Sequence, residues 1–518
     1  MRGSLRHSVR FLVVARELAR HDALFWVDDI GPAPVGFRAL VRIATRFVRK
    51  HRDLPEGEGE RLAAALRRLG PAYIKLGQML ATRPDIVGPD LAAGLRALQD
   101  KLPPFPATTA RAVIETALGR PLAAVFAEFD DEAVAAASIA QVHRATTSDG
   151  RAVAVKVLRP GIEAEFARDL AAFAWLARFV EANLPAARRL RPVAVVETVA
   201  ETVATELDLR LEAAAASELA ENMAGEPGYR VPQVDWARTA RRVMTLEWVD
   251  GIPLWDTAAL DAAGHDRKRL AGVIVHAFLM QAMRDGFFHA DLHQGNLFVD
   301  AEGSVVALDF GIMGRLERSS RRYLAEILYG FLERDYERVA RWHFSAGYVP
   351  REQSVHRFAQ AMRAIAEPIF GRPVREISAG QLLGQLFATT EAFGMATQPQ
   401  LLMLQRTMVM VEGMALHLHA EANMWELSRP AITAFMKEEL APELVLADRI
   451  NETLATCARL PGLVERADRV LERIETEGLK LAPAGAGHEP RRSRAPALFL
   501  GALALGLTAA VTAALLLL

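Results

Sequence analysis

The chain of 518 residues contains one cysteine, Cys457. A single cysteine excludes an internal disulfide framework and any zinc or iron–sulfur site built from several cysteines. Neither the fingerprint G-x-G-x-x-G nor a Walker A sequence occurs, so the commonest phosphate-binding loops are missing. The 62 Lys and Arg residues balance 63 Asp and Glu residues, and this balance indicates no basic surface for nucleic acid.

Charge is also missing from the end of the chain. Residues 495–518 contain no charged side chain, and Arg491, Arg492 and Arg494 precede them. A helix of this length spans roughly 36 Å at about 1.5 Å per residue, which exceeds a hydrocarbon core of about 30 Å. With the positive-inside rule, this pattern predicts a single C-terminal membrane anchor and a catalytic domain on the cytoplasmic side, as at a bacterial inner membrane.

A polar segment that runs from His289 to Asn296 is the most informative motif, and a D-F-G sequence follows it at Asp309. The spacing from Asp291 to Asn296 matches the H-R-D-x-x-x-x-N loop of kinases, with Ala290 in place of the Arg. In that loop the Asp acts on the acceptor, while the Asn and the D-F-G Asp hold Mg²⁺. The pattern therefore predicts a catalytic Asp291, a magnesium site at Asn296 and Asp309, and ATP as the phosphoryl donor.

A lysine upstream completes this chemistry. Val153 to Lys156 resembles the V-A-I-K strand of kinases, whose lysine reaches the α- and β-phosphates. The helical pattern over residues 198–220 then offers Glu206, Asp208 and Glu212 as acidic partners for this lysine. Asp208 and Glu212 are four residues apart and share a helical face, whereas Glu206 is displaced from them. We choose Glu212 as the partner of Lys156.

Two further segments are expected to contact the nucleotide. The loop expected over the phosphates is rich in alanine and consists of Ala135, Ala136, Ala137 and Ser138. Alanine restricts φ and adds a methyl group where kinases use glycine, so this loop disfavours conventional protein phosphorylation. The backbone of Glu247 and Val249 is expected to form the hinge that receives adenine.

These motifs, taken together and in this order, resemble the UbiB family of atypical protein-kinase-like proteins, the AarF-domain group associated with ubiquinone biosynthesis. The resemblance extends over about residues 70–316, and its family-specific parts are a K-x-G-Q at Lys75 to Gln78 and an E-x-D at Glu206 to Asp208. It implies that the K-x-G-Q helix folds over the cleft where a protein substrate would dock. Lys75 and Gln78 would then contact Glu206 and Asp208.

The resemblance also bears on two other positions. It strengthens the choice of Glu212 as the partner of Lys156. Kinases carry a lysine where this chain has His293, and the family has a histidine there. His293 is therefore expected to orient the catalytic loop by hydrogen bonding.

The fold predicted from these patterns is α+β. It is a bilobal protein-kinase-like fold with an N-terminal helical extension, extra C-terminal helices and a C-terminal transmembrane helix. The predicted boundaries are 1–105 for the extension, 106–250 and 251–440 for the two lobes, 441–480 for further helices, 481–494 for a linker and 495–518 for the span.

The resemblance implies a membrane-anchored, ATP- and Mg²⁺-dependent ATPase or small-molecule/lipid kinase that supports ubiquinone biosynthesis. It would act on membrane lipids or polyprenyl-quinone intermediates, alongside other quinone-biosynthesis enzymes. A nucleotide-gated scaffold without turnover is the alternative, favoured by the alanine-rich loop. A conventional protein kinase and a polyprenylphenol hydroxylase are weaker hypotheses, the latter because no flavin fingerprint or iron-ligand spacing occurs. The oligomeric state stays open.

Overall fold

The structure is a computed structural model that describes residues 13–14, 16–24, 48, 51, 54–81, 87–95, 98, 103–183, 191–370, 389, 392–395 and 399–439. The chain divides into two compact units. The first includes the described parts of Met1–Ala213 together with Val234–Trp248. The second includes Ala214–Gln233 and the described parts of Val249–Glu489.

The strands are β1 (Phe126–Ala136), β2 (Ala140–Thr147), β3 (Ala152–Leu158), β4 (Tyr229–Arg230), β5 (Val243–Glu247), β6 (Gly251–Pro253), β7 (Phe287–His289), β8 (Leu297–Asp300), β9 (Val305–Ala307) and β10 (Met313–Arg315). The helices are α1 (Glu58–Leu69), α2 (Pro71–Ala81), α3 (Pro89–Leu95), α4 (Ala107–Leu118), α5 (Ile162–Asn183), α6 (Pro192–Glu206), α7 (Leu209–Asn222), α8 (Thr257–Ala262), α9 (Arg267–Leu279), α10 (Arg318–Leu332), α11 (Tyr336–Ser345), α12 (Val355–Phe370), α13 (Pro399–Leu418) and α14 (Met424–Glu439).

The membrane anchor expected from the sequence requires a correction. The apolar segment, residues 495–518, lies outside the described residues. Within the described ranges, no helix has both the length and the apolar character that a bilayer crossing needs. A crossing requires about 20 apolar residues in one continuous helix. The prediction of a C-terminal transmembrane helix with a cytoplasmic catalytic domain is therefore not retained.

The first unit contains a four-stranded antiparallel sheet in the order β1-β2-β3-β5. The turn at Ser148-Asp149-Gly150 joins β2 to β3 as an antiparallel hairpin. Residues 133–144 are divided between β1 and β2. The chain reverses there because the backbone N–H of Ala137 donates to the carbonyl of Ala140 at 2.8 Å.

The core of this unit lies between helix α4 and one face of the sheet. Val153, Val155 and Val157 of β3 are fully or almost fully buried there, together with Val113 and Ile114 of α4. Successive side chains of a strand point to opposite faces. Because the valines face the core, Lys156 lies on the other face of the strand, which is only partly covered.

The helical pattern expected over residues 198–220 is interrupted. Helix α6 ends at Glu206, and α7 begins at Leu209. Asp208 lies between them, and its carboxylate accepts a hydrogen bond from the backbone N–H of Arg210 at 3.2 Å. A side chain that binds an N–H of the first turn stabilises a helix start. The prediction that Asp208 and Glu212 share a helical face is therefore wrong, because Asp208 precedes helix α7.

The second unit carries two small sheets and a set of helices. One sheet has the order β4-β9-β8-β6, with a parallel β4–β9 pair, and the other pairs β7 with β10. Helix α9 continues into a π-helical turn, Met280–Asp285, that leads directly to β7. Helices α11 and α12 pack around Tyr336 and the fully buried Phe358. This arrangement places the segment after β7 next to the β8–β9 hairpin, where the polar motif lies.

Candidate functional site

Lys156 and Glu212 form a close ion pair in the first unit. The Lys156 Nζ atom lies 2.6 Å from the Glu212 Oε1 atom, and the two side chains are 19% and 9% exposed. Lys156 projects from the half-covered face of β3, and Glu212 lies in the first turn of α7. A short, charge-assisted contact with little water around it holds the ammonium in one position. This is the partner that the sequence analysis chooses, while the role of the pair toward nucleotide stays a prediction.

The alanine-rich loop is held from below by Arg159. The guanidinium donates from Nε and Nη2 to the carbonyl of Ala137, at 3.0 and 2.9 Å, and from Nη2 to the carbonyl of Pro103 at 2.8 Å. Ser138 is fully buried, and its hydroxyl has no hydrogen-bond partner within the described ranges. The loop is thus tied through its backbone, with the Ser138 side chain directed inward. Contacts of Ala135, Ala136, Ala137 and Ser138 with a phosphate stay predictions.

The K-x-G-Q helix, α2, makes part of the contact that the family resemblance implies. Lys75 Nζ lies 3.0 Å from Glu206 Oε2, and both side chains are mostly buried. Gln78 donates from Nε2 to the carbonyl of Leu98 at 3.3 Å. Asp208 pairs with Arg210 instead, at 2.9 and 2.7 Å.

These contacts distinguish the two acids of the E-x-D motif. The hydrogen bonds that Asp208 makes with Arg210 lower the pKa of the Asp208 carboxyl below its usual value. The expected contact of the K-x-G-Q helix with Asp208 is therefore replaced by a local pair. The physical reason is the helix break, which places Asp208 beside Arg210.

The predicted hinge lies at the end of β5. Glu247 is its last residue, and the backbone N–H of the following Trp248 donates to the carbonyl of Ala152 at 3.1 Å. The Arg144 guanidinium lies 4.8 Å from the centre of the Trp248 ring. Both contacts fix the chain at the end of the strand. Adenine binding by Glu247 and Val249 stays a prediction.

In the second unit, His289 organises the predicted catalytic loop, residues 289–296. Its Nδ1 accepts a hydrogen bond from the backbone N–H of Asp291 at 3.2 Å, so Nε2 carries the proton and donates to the carbonyl of Leu308 at 3.2 Å. Burial lowers the pKa of His289, against the opposing effect of the nearby Asp309 and Asp291 carboxylates. The neutral imidazole thus joins the loop to the segment that leads into Asp309.

Asn296 and Asp309 are brought together by the β8–β9 hairpin. Leu297 pairs with Ala307, and the backbone N–H of Leu308 donates to the carbonyl of Asn296 at 2.8 Å. Asp309 follows immediately along the chain. The hairpin therefore places the amide and the carboxylate at the same end of two neighbouring strands.

The residues present fit a magnesium ion. The Asn296 Nδ2 donates to the carbonyl of Asp291 at 3.1 Å, which leaves the amide oxygen as the group of Asn296 that a cation binds. Asp309 supplies a carboxylate, and its backbone has a φ of 62°, in the left-handed region that Asp adopts more readily than most residues. Amide and carboxylate oxygens are ligands that Mg²⁺ prefers.

Asp291, the predicted catalytic residue, has a neighbour that the sequence analysis missed. Arg406 of helix α13 approaches to 3.1 Å between its Nη2 and the Asp291 Oδ1. His293 lies farther away, 3.9 Å between Nε2 and Asp291 Oδ2, and accepts a hydrogen bond from the backbone N–H of Gly295 at 3.1 Å through Nδ1. No motif marks Arg406, because an arginine on an amphipathic helix is ordinary.

Comparison with known proteins places these residues in a family context. Residues 97–343 match the family model of the ABC1 atypical kinase-like domain, and residues 362–423 match that of the UbiB helical domain. A curated relative from Marinobacter nauticus (strain ATCC 700491 / DSM 11845 / VT8), named Probable protein kinase UbiB, is 41% identical over 424 residues, which cover 81% of this chain and 78% of the relative. One of the same name from Xanthomonas campestris pv. campestris (strain B100) is 42% identical over 423 residues, covering 79% and 76%.

A solved structure agrees with the fold. The structure of the Rv3197–erythromycin complex from Mycobacterium tuberculosis matches with a TM-score of 0.53 and 26% sequence identity. The match covers 72% of this chain and 95% of that one. The kinase-like α+β fold predicted from the sequence is thereby confirmed.

Proposed function

This chain belongs to the UbiB family of atypical kinases, and from that premise we propose that it binds Mg-ATP and turns it over in support of ubiquinone biosynthesis. The observation that supports this most strongly is the grouping of Asp291, Asn296 and Asp309 on one loop and one hairpin. A side-chain hydrogen bond joins Asn296 to the Asp291 backbone, and His289 joins the loop to the strand end before Asp309.

In the proposed reaction the Asp291 carboxylate receives the proton of an acceptor hydroxyl or of water. The acceptor oxygen forms a bond to the γ-phosphorus, while the bond from that phosphorus to the bridging oxygen breaks and ADP leaves with the electron pair. Magnesium bound by Asn296 and Asp309 would neutralise phosphate charge. In the first unit, Lys156, held by Glu212, would bind the phosphates.

The acceptor and partners are part of the proposal as well. From the family association we propose that turnover serves polyprenyl-quinone intermediates and that other quinone-biosynthesis enzymes are the partners. The grouped acid and magnesium ligands suit transfer to a hydroxyl group or to water equally, since either supplies the same O–H bond to Asp291.

A nucleotide-gated scaffold is the second candidate, and a specific observation favours it. Arg159 ties the alanine-rich loop to Pro103 by two main-chain carbonyls, and Ser138 is turned inward. A loop held in this way binds phosphate without the close backbone approach that glycines permit. Under this proposal the protein binds Mg-ATP and releases no phosphate.

The decisive experiment replaces Asp309 with Asn in the full chain. Asn also adopts the left-handed backbone found at this position, so the D309N variant keeps the fold while losing one charge of the magnesium site. We expect the wild type to bind Mg-ATP by calorimetry and to release phosphate, and D309N to release none.

The matched control is Asp261→Asn, which removes an exposed carboxylate of helix α8 that pairs with Arg267. It should retain wild-type turnover. Phosphate release by D309N at the wild-type rate would refute the site assignment. Tight Mg-ATP binding without turnover in the wild type would support the scaffold, and no binding at all would end both proposals.

A further inference from the structure

Helix α13 is attached to the catalytic loop by two neighbouring residues. Arg406 contacts the Asp291 carboxylate at 3.1 Å, and the hydroxyl of the next residue, Thr407, lies 3.1 Å from the carbonyl of Ala290. Thr407 is fully buried, and its hydroxyl also lies 2.9 Å from the carbonyl of Met403 in its own helix. The helix is therefore fixed against the residue that precedes Asp291, which sets the position of the Arg406 side chain.

Arg406 brings a permanent positive charge to Asp291, and no side chain of the loop carries one. Two residues after the catalytic Asp, where kinases carry a lysine, this chain has His293. An imidazole is charged only when protonated, whereas a guanidinium keeps its charge across the physiological pH range. His293 is also turned toward the Gly295 backbone and lies 3.9 Å from the carboxylate.

We infer that Arg406 is a positioning residue for Asp291 and supplies, from the helical region, the permanent positive charge that the loop lacks. The guanidinium orients the carboxylate toward the acceptor. It is still about half exposed, so it keeps donors for an anionic group beside Asp291. This inference rests on the proposed function, because it assigns Asp291 a proton-accepting role.

Arg406 lies within the matched UbiB helical domain, residues 362–423. Helix α13 also packs along α9, the helix whose π-helical end leads to β7 and the catalytic loop. The helical domain thus contacts the loop through Arg406 and Thr407, and it also packs on the helix that leads to the loop. Through Arg406, it determines where the Asp291 carboxylate points.

The test compares three variants of the full chain: Arg406→Gln, Arg406→Lys and Arg406→Ala. We expect R406Q to lower kcat for phosphate release by about 100-fold, as for a misplaced catalytic group, with Mg-ATP affinity within about twofold of the wild type. R406K should recover part of the loss because it restores the charge. Guanidinium ion at non-denaturing concentration should raise the kcat of R406A.

The matched control is Arg429→Gln, an exposed arginine of α14 that pairs with Glu333 and lies outside the catalytic loop. It should leave kcat unchanged. Normal kcat in R406Q would overturn this inference and leave the proposed function intact. A loss of kcat that accompanies a lower melting temperature, without recovery by R406K or guanidinium ion, would assign Arg406 a purely structural role and also overturn it. If the wild type binds Mg-ATP without turnover, the proposed function is wrong, and this inference is wrong with it.

Discussion

Lys75 and Glu206 form an ion pair of 3.0 Å between helix α2 and the last residue of α6, with only 14% and 8% of their side chains exposed. Two residues further on, Asp208 is paired with Arg210 instead. The E-x-D motif therefore divides its two carboxylates between a distant lysine and a local arginine. Because the Lys75–Glu206 pair lies largely out of water, each charge offsets part of the desolvation cost of the other.

The first prediction concerns this pair. Replacing Lys75 or Glu206 with Ala removes one charge of this mostly buried pair and leaves the other charge less compensated, which should lower the free energy of unfolding by about 3 kcal/mol. The double variant Lys75→Met with Glu206→Leu removes both charges and should recover most of the loss. Thermal unfolding of the full chain measures the effect, with the exposed Lys437→Ala as control. A K75A melting temperature equal to that of the control would contradict the prediction.

The second prediction concerns Gly77, which follows Lys75 in the same helix. A Cβ atom added there would lie 2.7 Å from the Leu66 Cδ1 and would also meet Leu98. Gly77→Ala should therefore cost about 1–3 kcal/mol through overpacking. Gly413 of α13 has no atom within 4 Å of an added Cβ, so Gly413→Ala should stabilise by up to about 1 kcal/mol. Chemical denaturation measures both, and the prediction fails if both variants change stability in the same direction.

The third prediction tests the anchor of the alanine-rich loop. Arg159→Lys should loosen this loop, because an ammonium lacks the planar fork that reaches the carbonyls of Ala137 and Pro103 together. Backbone hydrogen exchange over residues 135–141 should accelerate, most of all at the Ala137 N–H that donates to Ala140. Arg120→Lys, an exposed arginine with one carbonyl contact, serves as the control and should change nothing there. Unaltered exchange in R159K would show that other contacts hold the loop.

The fourth prediction concerns pH. Burial lowers the pKa of His289 below its ordinary value of 6.5, and burial acts in the same direction on His143 and His343. As pH falls through about 6.5, the unfolded chain takes up protons that the folded chain does not, so stability is complete above that pH and decreases below it. The carboxylates with lowered pKa, Asp208 and Glu226, contribute stability that is lost only at more acidic pH.

The melting temperature of the wild type should therefore fall between about pH 7.5 and 5.5. His289→Asn removes one of the buried imidazoles. The variant should therefore have a lower melting temperature than the wild type at neutral pH, and its melting temperature should decrease less on acidification. His356→Asn, at a side chain 84% exposed, should keep the wild-type dependence. If the melting temperature of H289N decreases with acid as steeply as that of the wild type, His289 does not contribute to the pH dependence of stability.

The arrangement of residues that are close together in sequence could largely be predicted. The interval from Asp291 to Asn296 and the D-F-G at Asp309 identify a kinase-like site because loop and hairpin geometry is set by local spacing. The face of Lys156 follows from the two-residue period of a strand. The family and the fold class could be predicted from the same motifs, since they occur in a fixed order.

Contacts between distant segments could not be predicted in the same way. The sequence alone determined which residue types are available for phosphoryl-transfer chemistry and at what spacing. Only the tertiary structure decided that α6 ends before Asp208, which assigns Lys75 to Glu206, and that α13 places Arg406 against Asp291, 115 residues away along the chain. The physical reason is that a helix presents many equivalent polar side chains, and packing selects which of them meets a partner.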